Sequence, residues 1–264
     1  MKNCIEYESV SFSYKKKGKL ALNDITFSVK RGCKFAVLGP NGAGKTTLFK
    51  LAVGLLAPKK GIVRVLEKEV TENTIGEIRQ DVGYLFQNPD DQLFAPTVWE
   101  DVAFGPRNLG MDEDEVAKRV TTALREVNML GYADHPPFQL SEGQKKRVAI
   151  AGLLVMNPKI ILLDEPTSDL DVPTAISFME KVRELVERGV TATISTHDIL
   201  FARKWADECV VLNSGSILFF GSPVEAFEME EVRKAIGDPD YFLPDGRIIP
   251  INIKYVGDHF DQSD

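Results

Sequence analysis

The segment GPNGAGKT, residues 39–46, has the residue types and spacing of a phosphate-binding loop, G-x-x-x-x-G-K-[ST]. It lies between the apolar run CKFAVLG and the helical pattern KTTLFKLAVGLL, the strand–loop–helix context that such a loop requires. Backbone N–H groups of the loop can surround phosphates, Lys45 can reach the β- and γ-phosphates, and the Thr46 hydroxyl can bind Mg²⁺. The residues predicted to form this site are Gly39, Pro40, Asn41, Gly42, Ala43, Gly44, Lys45, Thr46 and Thr47.

The alternative for this segment is a glycine-rich turn that binds nothing. A chain with average glycine usage and this length matches the pattern by chance about once in a hundred. The strand before it and the helix after it lower that chance further. A phosphate site is therefore the stronger interpretation.

A second candidate is the acidic end of the apolar run IILLDEP. A buried strand that ends at Asp164 places a carboxylate at the C-terminal edge of a sheet, where it can hold Mg²⁺ through water. Glu165, the next residue, can orient and deprotonate an attacking water molecule. Such an acidic pair is usually a turn or a helix cap when it stands alone. Beside a phosphate loop, the metal and base roles are favoured.

Two more polar residues follow apolar runs. His197 follows TATIST, whose strand should run parallel to the strand of Asp164, so His197 should lie at the same edge and could contact the γ-phosphate. A hydrogen-bonded core histidine is the alternative. Gln87 follows YLF and could reach the metal ion or the attacking water. It could equally be a polar loop residue, and spacing does not choose between these roles.

The stretch LSEGQ, residues 140–144, predicts a helix start. Ser141 and Gln144 have the spacing of a capping box, in which both side chains satisfy backbone N–H groups. A capped start also presents N–H donors and the positive end of the helix dipole, so it could bind an anion outside the chain. The pattern fits an ordinary helix start and an anion site equally well.

The strands expected to position these residues are visible in the apolar pattern. Residues 4–29 alternate apolar and polar side chains on both sides of the lysine-rich stretch 15–19, which predicts two antiparallel strands with a solvated turn. KIILLDEP and VTATIST are unalternating runs of the kind buried in parallel sheets. VVLNSGSILFFG predicts a hairpin around residues 213–216.

Helices are expected between these strands. The segment from Asp112 predicts an amphipathic helix that ends before Gly131, and the helix from Ser141 should end at the Asn-Pro pair 157–158. Pro173 stands where the first turn of another helix would be. Alternating strands and helices predict an α/β core with a parallel sheet. After about residue 237 the pattern weakens to turn signals and a possible hairpin.

Composition sets limits on function. Hydrophobic residues make up 44% of the 264 residues, enough for a buried core, and the net charge of −7 argues against broad electrostatic binding to nucleic acid or anionic lipid. Cys4, Cys33 and Cys209 are odd in number and far apart, which predicts buried thiols rather than disulfides or a zinc site. We expect no leader, and the longest apolar run, residues 148–156, is too short to span a bilayer. A membrane role would then require a partner.

The ordered set GPNGAGKT, Gln87, LSEGQ, IILLDEP, SDLD and His197 resembles the nucleotide-binding subunit of ATP-binding cassette (ABC) transporters over roughly residues 3–235. LSEGQ before the acidic strand separates this family from kinases and GTPases with a similar loop. The resemblance implies an α/β P-loop NTPase fold, with a mixed or parallel core sheet, an antiparallel β subdomain and an inserted helical subdomain. The implied limits are 1–236 for the ATP-binding domain, about 88–158 for its helical subdomain and 237–264 for a C-terminal extension.

The resemblance also implies an ATPase that uses ATP and Mg²⁺ and works as a head-to-tail pair of cassettes. Each ATP would lie between the phosphate loop of one cassette and the LSEGQ helix of the other. The capped helix start would then itself be the anion-binding site. The additional ATP contacts implied are Tyr14, stacked on adenine, Ser141, Gly143, Gln144 and Asp171. The implied metal-binding residues are Thr46, Gln87 and Asp164, and the implied catalytic residues are Glu165, His197 and Gln87.

This chain departs from the family pattern at two positions. Glu142 stands where the family usually has glycine, and its negative side chain is expected to point away from the nucleotide. Asp169 stands where a small residue is common, in the SDLD loop that also contains Ser168 and Asp171 and that crosses the dimer interface in the family.

Residues 87–110 are similar to ATPases of energy-coupling factor (ECF) importers, especially the cobalt and nickel type, in which this segment forms the groove for a helix of the transmembrane subunit. Leu93, Phe94, Val98 and Phe104 are apolar within a stretch rich in turn residues, which favours a docking surface. Core packing of the helical subdomain is the alternative, and we expect it to account for some of these residues. The implied partners are a second ABC ATPase subunit, identical or paralogous, an integral membrane subunit and a substrate-capture protein, with no nucleic acid. The implied location is the cytoplasmic face of the membrane.

The transported substrate is not encoded in an ATPase that never touches it. A transition metal ion is the first choice and a vitamin the second. A soluble cassette protein acting on DNA or ribosomes is an alternative of another class, but it would usually show paired cassettes, a coiled-coil insertion or a basic surface. A phosphate-loop kinase would have no use for LSEGQ.

Overall fold

The computed structural model describes residues 2–16, 18–168 and 170–237. Its ten strands, in chain order, are β1 (Asn3–Phe12), β2 (Leu22–Lys30), β3 (Lys34–Leu38), β4 (Lys60–Val65), β5 (Lys68–Glu69), β6 (Val82–Leu85), β7 (Ile160–Asp164), β8 (Thr191–Thr196), β9 (Glu208–Asn213) and β10 (Ser216–Gly221). The nine α-helices are α1 (Lys45–Ala52), α2 (Ile75–Asp81), α3 (Val98–Asn108), α4 (Glu113–Glu126), α5 (Glu142–Leu154), α6 (Val172–Glu187), α7 (Ile199–Trp205), α8 (Pro223–Glu228) and α9 (Glu230–Ile236). These counts refer to the described residues.

The strands form two sheets. The larger sheet has the order β10-β9-β3-β8-β7-β6, and all of its paired strands are parallel except the β9–β10 hairpin. The smaller sheet, β2-β1-β4-β5, is antiparallel throughout. The predicted antiparallel pair, the mixed core sheet and the hairpin are therefore confirmed. Among the described elements, β4, β5, α2, α7, α8 and α9 were not predicted from the sequence.

Strands β7 and β8 are buried at every position, as their unalternating apolar sequences predict for strands covered on both faces. The register of the pair places Asp164 opposite Ser195. Because parallel strands end at one edge of the sheet, the residues after β3, β6, β7 and β8 lie at that edge. This edge contains the residues that the sequence singles out for chemistry.

Aromatic side chains join the two sheets. The ring of Phe27 in β2 stacks on Tyr7 in β1 at 4.8 Å and on Phe35 in β3 at 5.7 Å. All three side chains are at least 93% buried. The smaller sheet is thereby fixed against the strand that leads into the phosphate-loop segment.

Helices α3, α4 and α5 form a separate helical layer with its own apolar core, which includes Val98, Val120, Leu124 and Val148. The layer lies within the range 88–158 predicted for the helical subdomain. The predicted cap of α4 is confirmed, because the Asp112 side chain accepts a hydrogen bond from the N–H of Asp114. Asn128 follows the end of α4 in the left-handed region (φ 56°), so this residue, rather than Gly131, marks the stop.

Residues 87–110 do not form one turn-rich loop, and core packing accounts for some of their apolar side chains, as expected. Val98–Asn108 is a helix, and Val98 is fully buried in the core of the helical layer, so core packing accounts for this residue. Leu93 is partly buried against the same core. Phe94 and Phe104 are 66% and 48% exposed, and their rings meet edge to face at 4.8 Å. The sequence did not separate them because Pro106 and the glycines weaken the helical pattern.

The three cysteines are free and buried, as predicted. Burial raises the pKa of both Cys33 and Cys209 to about 12, so these thiols stay protonated at neutral pH. Within the described part of the chain, no helix combines the length and apolar character needed to cross a bilayer. Asp169 and the possible hairpin after residue 237 lie outside the described residues.

Candidate functional site

The segment between β3 and α1 forms a tight loop that only its glycines allow. Gly39, Gly42 and Gly44 have φ values of 144°, 78° and 110°, in the region that disfavours side chains. A Cβ atom on Gly39 would lie 2.3 Å from the carbonyl oxygen of Leu212, so no other residue fits there. The N–H groups at the start of α1 and the loop lie beside a cavity of about 360 Å³.

The cavity brings together residues from distant parts of the sequence. It is lined by Tyr14, Ala21, Asn41, Gly42, Gly44, Lys45, Thr46, Thr47, Gln87, Asp164 and Glu165. All of these except Ala21 were candidates from the sequence. Gly39, Pro40 and Ala43 belong to the loop without lining the cavity.

Lys45 supplies a positive charge at this cavity. The side chain is buried, and its Nζ donates hydrogen bonds to the carbonyl oxygens of Gly39 at 2.8 Å and Pro40 at 3.4 Å. It also lies 3.5 Å from Oε1 of Glu165. A buried ammonium group with these partners is poised to exchange them for phosphate oxygens.

Asp164 is held at both carboxylate oxygens by side chains that the sequence reading missed. The hydroxyl of Ser195 donates to Oδ1, and the hydroxyl of Tyr84 donates to Oδ2 at 3.3 Å. Burial and the Asp164 carboxylate raise the pKa of Tyr84, which keeps the phenol protonated as a donor. Tyr84 and Ser195 each stand out as a polar residue within an apolar strand. The sequence does not indicate, however, that both would bind Asp164.

Glu165 lies between two cationic or polar side chains and has a strained backbone. Its φ of 48° is in the left-handed region, and its N–H donates to the carbonyl oxygen of Ser195 at 3.2 Å and to its hydroxyl at 3.1 Å. Its carboxylate contacts Lys45 on one side and Nδ1 of His197 at 2.9 Å on the other. The strain positions a carboxylate at the cavity, as a base at this place would require.

His197 and Tyr14 border the site from its exposed side. The His197 side chain is 71% exposed, and its Nδ1 contacts Oε2 of Glu165, so it is not a buried core histidine. The Tyr14 ring is 64% exposed, and its hydroxyl shares a hydrogen bond of 2.9 Å with the hydroxyl of Thr47. An exposed aromatic ring at the mouth of the cavity is available for stacking.

The capping box at the start of α5 is confirmed. The N–H of Gln144 donates to the Ser141 hydroxyl at 3.4 Å, and the N–H of Ser141 donates to Oε1 of Gln144 at 2.9 Å. Ser141, Gly143 and Gln144 do not line the cavity of the same chain. Asp171, another candidate, caps α6 by accepting from the N–H of Thr174 at 2.8 Å, and hydrogen bonds to Thr174 lower its pKa.

Glu142 is engaged within its own chain. Its Oε1 lies 2.9 Å from Nζ of Lys145, which also lies 2.8 Å from Oδ1 of Asp90. The carboxylate therefore lies alongside α5, toward a lysine on the next turn. This placement agrees with the expectation that Glu142 points away from a ligand at the helix start.

More than half of the chain matches one family of known proteins. Residues 22–168 match the family model described as ABC transporter. The chain is 48% identical over 234 residues to the energy-coupling factor transporter ATP-binding protein EcfA of Methanocaldococcus jannaschii, a region that covers 88% of this chain and 84% of that protein.

Two solved structures have the same fold. The protein cbiO1 of Clostridium perfringens, part of the ABC transporter complex cbiONQ, is 38% identical with a TM-score of 0.74, over 93% of this chain and 97% of that one. A dimeric ATP-binding cassette in a post-hydrolysis state, bound to ADP and Pi, is 30% identical with a TM-score of 0.76, over 83% of this chain and 98% of that one.

Proposed function

The chain belongs to the ABC transporter family and is an ATPase, and from this premise we propose that it energises an ECF-type importer. The similarity to EcfA over 88% of the chain supports the importer type. The geometric observation that carries the proposal is the meeting of Lys45, Asp164 and Glu165 at one cavity beside the phosphate loop. ATP is the substrate for which this arrangement is suited.

The residues of the cavity divide the work of hydrolysis. Lys45 and the N–H groups of the loop bind the phosphates, and the exposed ring of Tyr14 stacks on the base. Glu165 orients a water molecule and accepts a proton from it as the water oxygen bonds to the terminal phosphorus. The bond from that phosphorus to the bridging oxygen then breaks, which leaves ADP and phosphate. His197 holds Glu165 through its 2.9 Å hydrogen bond and lies where it can contact the γ-phosphate.

The donor set at the cavity fits a Mg²⁺ ion that accompanies ATP. Thr46, Gln87 and Asp164 all line the cavity and offer oxygen atoms. Mg²⁺ keeps several waters and is usually held by one or two protein side chains together with phosphates. Among the described residues, no group of three or more His, Cys, Asp or Glu side chains could form a complete metal cage. When bound, the ion would neutralise phosphate charge, and Thr46, Gln87 and Asp164 would hold it.

A second cassette, identical or paralogous, completes each site. The start of α5 offers N–H donors and a positive dipole end that the cavity of its own chain does not use. We assign Ser141, Gly143 and Gln144 to the nucleotide of the partner cassette, and Asp171 to the contact between the two. The solved dimeric cassette that resembles this chain supports the pairing.

A membrane subunit docks on the helical layer, which places the chain at the cytoplasmic face of the membrane. Phe94 and Phe104, which follow Gln87 in the sequence, form an exposed aromatic pair. A contact there would be transmitted to Gln87 and so to the nucleotide. A substrate-capture protein completes the complex, and the cargo proposed first is a cobalt or nickel ion, with a vitamin second, on the resemblance of residues 87–110.

Isolation from the native membrane tests this assignment. A tagged chain purified in mild detergent should bring with it an integral membrane subunit and a small capture protein. Co-isolation of ribosomes or DNA instead would overturn the importer role. Cells that lack the protein should lose uptake of radioactive cobalt or nickel, whereas loss of vitamin uptake alone would replace the metal by a vitamin as cargo.

A further inference from the structure

The segment 86–92, which contains Gln87, is fastened to helix α5 by a buried lysine. Lys146 is 1% exposed, and its Nζ donates to the carbonyl oxygens of Phe86 at 3.1 Å and Gln87 at 2.8 Å. These acceptors are backbone atoms, so the contact fixes the path of the chain at Gln87 whatever its side chain binds. A buried ammonium group is stable only with such partners, which makes the contact strongly specified.

The neighbouring Lys145 fastens the same segment at a second point. Its buried side chain lies 2.8 Å from Oδ1 of Asp90, within segment 86–92, and 2.9 Å from Oε1 of Glu142, the first residue of α5. The two carboxylates raise the pKa of Lys145 and keep it charged. One ammonium group thus joins the Gln87 segment to the first turn of α5.

Gln92 provides a third attachment further along the helix. Its Nε2 donates to the carbonyl oxygen of Ala149 at 3.3 Å, and its Oε1 accepts from the N–H of Phe86 at 3.2 Å. A hydrogen bond thus joins the two ends of segment 86–92, and the segment contacts α5 at successive positions along the helix. Several contacts of this kind oppose movement of the segment along α5 as well as away from it.

We infer that Lys145 and Lys146 are positioning residues that make the Gln87 segment and the start of α5 move as one unit. This inference rests on the proposed function, in which the start of α5 serves the nucleotide of the partner cassette. Gln87 lines the cavity of its own chain, while Ser141 caps α5. A shift of Gln87 at one nucleotide is then passed to the helix start that closes on the other.

Neither lysine lines the cavity. Lys146 binds the backbone carbonyl groups of Phe86 and Gln87, and Lys145 pairs with the carboxylates of Asp90 and Glu142. Loss of the Lys145–Asp90 pair should therefore leave the binding of one ATP to a single cassette unchanged and weaken the closure of two cassettes on ATP. If the contact served only the stability of the fold, its loss would affect ATP binding to the monomer and ATP-driven dimer formation alike.

A double-mutant cycle on the isolated full-length chain tests the inference. Asp90→Asn, Lys145→Gln and the double variant are made in a Glu165→Gln background, which slows hydrolysis. Dimer formation with saturating MgATP is followed by light scattering, and ATP binding to the monomer by titration at low protein concentration. Each single change should weaken dimer formation about three- to tenfold, and the double variant should be no weaker than the worse single variant. Lys145→Arg should retain most of the dimer affinity.

Glu113→Gln is the matched control, because it breaks an exposed ion pair with Arg107 in the same helical layer but away from the Gln87 segment. Effects of Asp90→Asn and Lys145→Gln that add independently, or that equal the control, would overturn the inference. Failure of the Glu165→Gln parent itself to dimerise on ATP would instead exclude the pairing of two identical cassettes, and the same cycle would then be measured with a paralogous cassette as partner; failure there too would refute the proposed function. Lys146 is left intact, since its removal would take away the buried ammonium group that binds the carbonyl groups of Phe86 and Gln87 and would destabilise the fold.

Discussion

Nζ of Lys45 lies 3.5 Å from Oε1 of Glu165, and both side chains are buried at the edge of the larger sheet. Lys45, the proposed phosphate ligand, is thus also the counter-ion of Glu165, the proposed base. When phosphates arrive, their negative charge competes for the same ammonium group. We expect this competition to release Glu165 toward water when a substrate is bound.

Glu165→Gln should keep ATP binding and remove most hydrolysis. The amide preserves the size of the side chain and cannot accept a proton, so kcat should fall by roughly 10²- to 10⁴-fold. Binding should change little, because Lys45 and the N–H groups of the loop remain. The measurements are steady-state phosphate release and the Kd for a fluorescent ATP analogue.

Glu115→Gln is the control for this change. It makes the same glutamate-to-glutamine change on α4, where Glu115 forms an exposed ion pair with Arg119. Its kcat should stay near that of the parent. Continued fast turnover by Glu165→Gln would remove Glu165 from the role of base.

Tyr84→Phe should raise the Mg²⁺ concentration needed for tight nucleotide binding. The phenol donates to Oδ2 of Asp164 at 3.3 Å, so its loss leaves that carboxylate oriented by Ser195 alone. Loss of an outer partner of a metal-binding side chain typically weakens metal affinity by about 10- to 100-fold. The effect should fall near the lower end, because Ser195 still holds Asp164. Titration of Mn²⁺ by electron paramagnetic resonance, with ATP present, measures it directly.

Tyr7→Phe provides a matched control for the buried hydroxyl. Tyr7 donates to the carbonyl oxygen of Leu48 at 2.9 Å, in the core between the sheets. Both variants lose one hydrogen bond, worth about 1 kcal/mol of stability. Only Tyr84→Phe should change Mn²⁺ affinity. Equal changes of Mn²⁺ affinity in both variants would show that the effect comes from a general loss of stability rather than from Asp164.

The central part of the site could be predicted from the sequence because its residues follow a strand or open a helix in a fixed local pattern. Lys45, Asp164 and the capping box at Ser141 are of this kind. The supports of Asp164 could not be predicted in the same way. Tyr84 and Ser195 reach it across the register of parallel strands, and register is set by packing over the whole sheet.

The same limit explains the helical layer. Val98 and Phe94 have similar apolar character, yet one is buried and the other is 66% exposed. Their difference comes from the packing of α3 against α4 and α5, which the local pattern of residues 87–110 does not contain. Likewise, Lys145 and Lys146 resemble a solvated charge pair in the sequence, and only the fold shows that both are buried against the Gln87 segment.

Val98→Ala and Phe94→Ala should separate folding from docking. Removal of two buried methylene equivalents at Val98 should lower the free energy of unfolding by about 2 kcal/mol, including the cavity that remains. Phe94→Ala should change stability by about 0.5 kcal/mol or less, because the ring is exposed. It should nevertheless reduce co-isolation of the membrane subunit severalfold. Urea unfolding and quantitative pull-down provide the two readouts.

Two results would contradict the assignment of Val98 to the core and Phe94 to the docking surface. A large loss of stability in Phe94→Ala would place the ring in the core, and normal co-isolation would remove it from the docking surface. Phe138→Ala is the control, since that ring is also exposed, at 78%, but lies before α5 rather than after Gln87. It should leave co-isolation intact.

Glu142→Gly, which restores the residue usual in the family, should change ATP-driven dimer formation by less than about threefold. The carboxylate is bound to Lys145 at 2.9 Å and is already directed along α5, so little repulsion of phosphate is relieved. The variant should lose about 1 kcal/mol of stability, because glycine disfavours the first helical turn and an acid there stabilises the dipole. Light scattering with MgATP and thermal unfolding give the two values, and Glu142→Gln isolates the charge from the backbone effect. If both variants dimerised far more tightly than the parent, Glu142 would have to face the nucleotide, and its pair with Lys145 would not persist in the closed dimer.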